Sequence, residues 1–164
     1  MIASVIRLNA MTEIHVSLSD AMRTGSLGLF TIGTSRHLIG RTLGDATDAS
    51  ITNRKISGCI WVFGTTEFHF VNDLLTLIHC DSDDLFNGGL SMTIEPWKLR
   101  AHMPLSEVKS ILNGNDLRYA GCNDPHAHDC LIRLESGFTL GFVLDRDAGL
   151  GPIGLRSWSI QPVG

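Results

Sequence analysis

Twice along this chain, apolar runs of β-strand length follow one another with only a few turn residues between them. In the first set, residues 59–63 are apolar and aromatic, and Gly64-Thr65-Thr66 turns the chain. Residues 67–71 then alternate, with Phe68 and Phe70 on one face and Glu67, His69 and Val71 on the other. Asn72-Asp73 turns again before a third run over 74–80. No connection here is long enough for a crossover helix, so neighbouring strands must run antiparallel, as a meander. The second set covers 130–134, 138–144 and 153–160, separated by Gly137 and a loop over 145–152.

A short helix is predicted ahead of each set. Thr34 or Ser35 supplies an N-cap, Leu38, Ile39 and Leu43 follow at helical spacing, and Gly44 stops the run, which predicts a helix over 34–43. Met103-Pro104-Leu105-Ser106-Glu107 opens the other helix. Val108, Ile111 and Leu112 are its apolar stripe and Gly114 its end, giving 104–113. Polar loops are expected over 45–57 and 120–129, and a short strand over 90–94. Upstream, Ser17 or Ser19 caps a loosely amphipathic helix that Gly25 and Gly28 end.

The order helix, polar loop, meander thus occurs twice. Residues 60–70 align with 132–142, and 75–78 with 152–155. The expectation is an α+β fold in which two tandem helix-plus-antiparallel-meander repeats form a single domain. An N-terminal helical segment spans 1–28, the first repeat 29–96 and the second 97–164. A chain of 164 residues, 43% hydrophobic and 18% charged, is long and apolar enough to bury such a core.

The string Ile32-Gly33-Thr34-Ser35, continuing through Leu43-Gly44-Asp45-Ala46-Thr47-Asp48, resembles the G-T-S…L-G-x-P-T/D opening of β-lactamase-inhibitor-protein-like repeats. Trp61-Val62-Phe63-Gly64 resembles the W-x-Y-G of the same repeats. The match extends to small bacterial proteins carrying L-G-P-P-D-D…I-W-x-Y-G-D-L-E-F-H-F. It covers 27–80 closely and 102–160 loosely, and Asp45-Ala46 stands where the pattern has its proline. Some proteins of this general kind are immunity proteins of secreted toxins. The resemblance therefore implies a cytoplasmic inhibitor whose partner is a cognate protein toxin.

Catalytic signatures are sparse. Neither a G-x-S-x-G elbow nor a phosphate-binding glycine loop is present. Cys59, Cys80 and Cys130 lie at or within apolar runs, where a thiol is hidden rather than activated. Cys122, His126, His128 and Cys130 are zinc-ligand types within nine residues, but their spacing matches no usual structural zinc motif. The expectation is no metal, no cofactor and no enzyme activity. An enzyme or metal-binding domain using the 122–130 loop is the alternative, and a module assembling through an exposed sheet edge a third.

A net charge of −4 without a Lys/Arg cluster argues against nucleic acid, and no apolar run is long enough to span a membrane. No C-x-x-C pair points to a zinc ribbon or a thioredoxin-like motif. Because residues 1–8 are too short and too polar in their continuation for a signal peptide, the chain is read as cytosolic with free thiols. What remains is a binding surface. Glu67 and His69 face away from the phenylalanines of their strand. Asp81, Asp83 and Asp84 form an acidic stretch suited to a basic cleft. Arg133 and Arg156 point away from Ile132 and Leu155, and Trp158 is expected on the same face as Arg156. Glu67, His69, Asp81, Asp83, Asp84, Arg156 and Trp158 are the candidate partner-binding residues.

Overall fold

The fold is that of a computed structural model describing residues 13–121, 129–143 and 154–163. It is mixed α and β, mostly antiparallel sheet. Strand β1 (Ile14–Ser17) leads directly into α1 (Leu18–Thr24), and α2 (Arg36–Leu43) follows. Then come β2 (Asp48–Asn53), a 3-10 turn at Arg54–Ile56, β3 (Gly58–Phe63), β4 (Thr66–Val71) and β5 (Leu74–Cys80). The short β6 (Asn87–Gly88) and β7 (Met92–Glu95) precede α3 (Leu105–Asn113), and β8 (Tyr119–Ala120), β9 (Asp129–Leu134), β10 (Phe138–Val143) and β11 (Gly154–Ile160) complete the order.

Local sequence accounts for most boundaries. Ser17 stands at the N-cap of α1 and Gly25 closes it in the left-handed conformation. The hydroxyl oxygen of Ser35 accepts the Leu38 N–H at 3.3 Å and so caps α2. Ile39 and Leu43 are the buried residues of that helix, whereas Leu38, read as part of its apolar stripe, is 49% exposed. In α3, Val108 and Leu112 are buried. Asn72 and Asp73 both take positive φ, as a two-residue hairpin turn needs.

β2, β3, β4, β5, β11, β10, β9 and β8 form one eight-stranded sheet in that spatial order, antiparallel throughout. Its middle is the β5–β11 seam, where Cys80, His79 and Ile78 face Trp158, Ser159 and Ile160. β2 occupies the stretch expected as a loop. All six of its residues are exposed, so neither face carries the apolar alternation by which strands are recognised. A second, three-stranded sheet, ordered β1-β7-β6, contains a parallel pair, β1 with β7. The Ser17-capped helix ended by Gly25 is as expected, whereas the strand ahead of it and the parallel pairing depart from the expectation of meanders alone.

Two β-bulges set which side chains point inward. On β5, Leu75 pairs with Phe70 and Leu77 with His69, leaving Thr76 as the extra residue. On β11, Leu155 pairs with Phe142 and Ser157 with Gly141, leaving Arg156. A bulge shifts the strand's alternation by one residue. Leu155 and Trp158 consequently both face the core, while Arg156 is exposed. Trp158 is 1% exposed, lies parallel to Phe138 and donates its indole N–H to the Leu85 carbonyl at 2.6 Å. The expectation that Trp158 shares an outward face with Arg156 is corrected: the indole is a core residue.

The core is continuous across both meanders. Phe68 sits at its centre, edge-to-face with Phe30 and Phe63. All three helices contribute, through Leu18, Ala21 and Met22, through Ile39 and Leu43, and through Val108 and Leu112. Cys59 and Cys80 are free and buried, but Cys130 is disulfide-bonded, which corrects the expectation of free thiols throughout. The second cysteine of that bond lies outside the described residues. Of the 122–130 loop, the alternative metal site, residues 122–128 also lie outside them.

Candidate interaction surface

Pleating sends alternate side chains to opposite faces of the large sheet. One face carries Cys59, Phe63, Phe68, Phe70, Ile78, Ile132, Leu140, Phe142 and Trp158, all within the core shared with the helices. The other face belongs to different residues. Ile60, Val62, Val71 and Leu77 stand on it and take no part in that core. Leu131 and Val143, on the same face, are 57% and 44% exposed. Among the described residues no helix packs against this open face.

Registers align its polar groups in a row. Val62 faces Glu67, Glu67 faces His79, His79 faces Ser159, Ser159 faces Thr139, and Thr139 faces Arg133. The row therefore crosses six adjacent strands at right angles to them. Its charge is graded: a carboxylate at the Glu67 end, a guanidinium at the Arg133 end, and His79 and two hydroxyls between. His69 lies two residues along β4 from Glu67, and its Nε2 is 2.7 Å from Glu67 Oε2.

The expected site residues separate into groups. Glu67 and His69 are on the open face, half-buried and hydrogen-bonded to each other. Asp81 follows β5 at the rim, 74% exposed, with its Oδ2 3.6 Å from His79 Nε2. Asp83 is 80% exposed and receives a hydrogen bond from Arg156 Nη1 at 2.6 Å, with His102 Nε2 at 3.8 Å. Asp84 accepts from Asn87 Nδ2 at 2.9 Å. The acidic stretch is thus exposed, yet each carboxylate has a neighbour of its own, and Arg156 serves as the counter-ion of Asp83. Trp158 lies beneath, in the core.

His79, Ser159 and Thr139 were not singled out by sequence. The signal available was register: His79 and Ser159 fall on the open face only once β5 and β11 are known to pair. The helix side bears a groove of about 500 Å³ between α2 and β3, floored by Trp61. The Arg36 guanidinium lies over that ring, 5.7 Å from its centroid, and forms an ion pair with Asp73. Burial pushes the Cys80 thiol above its ordinary value, against hydrogen bonds with Ser82 and Thr65 that act the other way. Among the described residues no three His, Cys, Asp or Glu side chains gather around one point, and no helix is long and apolar enough to cross a membrane. No family model matches the chain, nor does a curated protein or a solved structure.

Proposed function

We propose that this protein is an inhibitor of the immunity type, which neutralises a cognate bacterial toxin by laying the open sheet face over it. The observation that carries this reading is a face of an eight-stranded sheet that no helix among the described residues covers, the opposite face holding all three described helices. A sheet tied down by a packed core is rigid, so little entropy is lost when a partner docks on it. Ile60, Val62 and Leu77 supply apolar contact over the β3–β5 half of the face, and Glu67 and His69 supply direction. Asp81, Asp83 and Asp84 form an acidic rim that would speed encounter with a basic cleft. Relative to the sequence reading, Trp158 leaves the interface, and His79 and Leu77 enter it.

We infer also that the chain is a duplicated unit, and several correspondences support this. The entry to α2 bridges to β5 through Ser35 and Leu74, and the entry to α3 bridges to β11 through Pro104 and Gly154. The Gly33 N–H donates to the Leu75 carbonyl as the His102 N–H donates to that of Leu155. Each third strand has its bulge at the same place, one residue after Leu75 or Leu155. These matches equate Cys59 with Cys130 and Leu75 with Leu155. The sequence alignment is thereby shifted by one residue in the first hairpin and by three at the last strand.

Co-expression with a toxin-bearing open reading frame sought beside the gene tests the reading. The parent chain should restore growth and co-purify with the toxin. Val62→Arg and Leu77→Arg, which disturb no core contact, should abolish both while the circular dichroism spectrum stays unchanged. Full protection by both variants would remove the open face from the mechanism.

A further inference from the structure

We propose that Arg133, Thr139 and Ser159 form an oxyanion-binding site at one end of the open face. The three side chains stand in one transverse row on β9, β10 and β11, where neighbouring strands lie about 4.8 Å apart. Each has hydrogen-bonding capacity left over. Thr139 is 6% exposed, and its hydroxyl meets no hydrogen-bond partner. A buried polar atom in that condition is rare in folded proteins and marks a place where a partner belongs. Ser159, also 6% exposed, accepts a hydrogen bond from Gln161 Nε2 at 3.1 Å and keeps its own proton to donate. Arg133 is exposed and donates to the Pro162 carbonyl at 2.6 Å, a neutral acceptor. No carboxylate among the described residues lies within ion-pair distance of it.

One guanidinium beside two hydroxyls is a set of donors lacking an acceptor. The group that completes it carries anionic oxygen, since charge-assisted bonds from arginine favour carboxylate or phosphate. Along the strands the next outward positions are Gly141 on β10 and Ser157 on β11, with the Leu131 side chain of β9 beside them. The buried Thr139 hydroxyl is therefore reached from the Arg133 side once the Arg133 side chain moves. Glu67, the nearest carboxylate along the row, is held apart from Ser159 by His79 on the intervening strand. For the anion to enter, Arg133 exchanges the Pro162 carbonyl for the incoming oxygen. That oxygen can come from a free phosphate or from a carboxylate side chain.

The full chain labelled with ¹⁵N should be titrated with inorganic phosphate and, separately, with acetate. Saturable shifts of the Thr139 and Ser159 amides and of Arg133 Nε are expected in the millimolar range. Thr139→Val and Arg133→Gln should each weaken the response several-fold. Thr139→Val removes no existing hydrogen bond, so its melting temperature should equal or exceed the parent's, which verifies its fold independently of binding. Response to acetate as well as phosphate assigns the site to carboxylates in general, and response to phosphate alone assigns it to phosphate. Absence of a saturable shift with either anion, or an undiminished shift in both variants, overturns the proposal. The toxin-rescue experiment is unaffected by that result, because Val62 lies at the other end of the row and Leu77 stands outside it, opposite His69.

Discussion

Replacing Trp158 with phenylalanine tests the bulge that orients the last strand. Without the bulge, Trp158 would stand beside Arg156 on the surface, and its replacement would change stability by no more than about 0.5 kcal/mol. With the bulge, the indole is 1% exposed and stacks on Phe138 with ring centroids 5.9 Å apart. Phenylalanine preserves a stacking ring but removes the N–H that reaches Leu85. The Leu85 carbonyl, within a residue only 1% exposed, then loses its donor, at a cost of about 1–3 kcal/mol. The smaller ring also gives up roughly 40 Å² of buried apolar surface, about 1 kcal/mol. The total is about 2–4 kcal/mol, equivalent in a domain of this size to a fall in Tm of roughly 4–16 °C. Urea unfolding followed by far-ultraviolet circular dichroism measures it as a lower midpoint at unchanged slope. Arg156→Ala is the matched control: its ion pair with Asp83 is exposed and contributes about 0–1 kcal/mol. A Trp158→Phe protein as stable as the parent, or an Arg156→Ala protein less stable than Trp158→Phe, would refute the inward placement of the indole.

Gly64 has φ +64° in the first hairpin turn, and a Cβ there would run into the Gly89 backbone nitrogen and the Asn87 side chain. Gly64→Ala should therefore destabilise by about 1–3 kcal/mol in the same urea assay, and a neutral result would contradict the close approach of the two loops. The Glu107 carboxyl is held below its ordinary value, chiefly by its hydrogen bonds from Arg100. A carboxyl lowered on folding stabilises above its unfolded pKa, and that contribution is lost as pH falls through the folded value. A ¹³C-detected titration should find Glu107 acidified in the parent and restored to normal in Arg100→Gln. Cys59 and Cys80 are both buried, and burial raises the Cys80 thiol. Neither should react with iodoacetamide at neutral pH until urea is added, and rapid alkylation of the native protein would show that the core is more open than described.

Much of the fold was legible because its signals are local. Ser35 with Gly44 bounded α2, and Gly114 closed α3. The alternation around Phe68 and Phe70 placed β4 and correctly sent Glu67 and His69 outward. What escaped has no local signal. β2 is exposed on both faces and carries no apolar pattern. β1 is four residues running straight into α1, too short to carry a strand pattern of its own. The bulge at Arg156 depends on pairing with β10, and nothing in Leu155-Arg156-Ser157-Trp158 announces the extra residue. The same limit applies to the open face. Its outward residues could be identified strand by strand, but the row from Glu67 to Arg133 exists only because β5 pairs with β11.

That seam also bears on how the protein is made. It joins β5 to β11 across the intervening residues 81–153, so a ribosome must deliver that whole stretch before β5 acquires its second neighbour. Contacts this distant in sequence close late, because a long loop must be ordered before they form. Until then β5 presents an unpaired edge flanked by buried-type side chains such as Ile78 and Cys80, the kind of surface that pairs with another chain's strand. The interval between synthesis of the two meanders is therefore the period of greatest aggregation risk. Truncated products ending before β11 should be found in the insoluble fraction, whereas a chain that includes β11 seals its own centre.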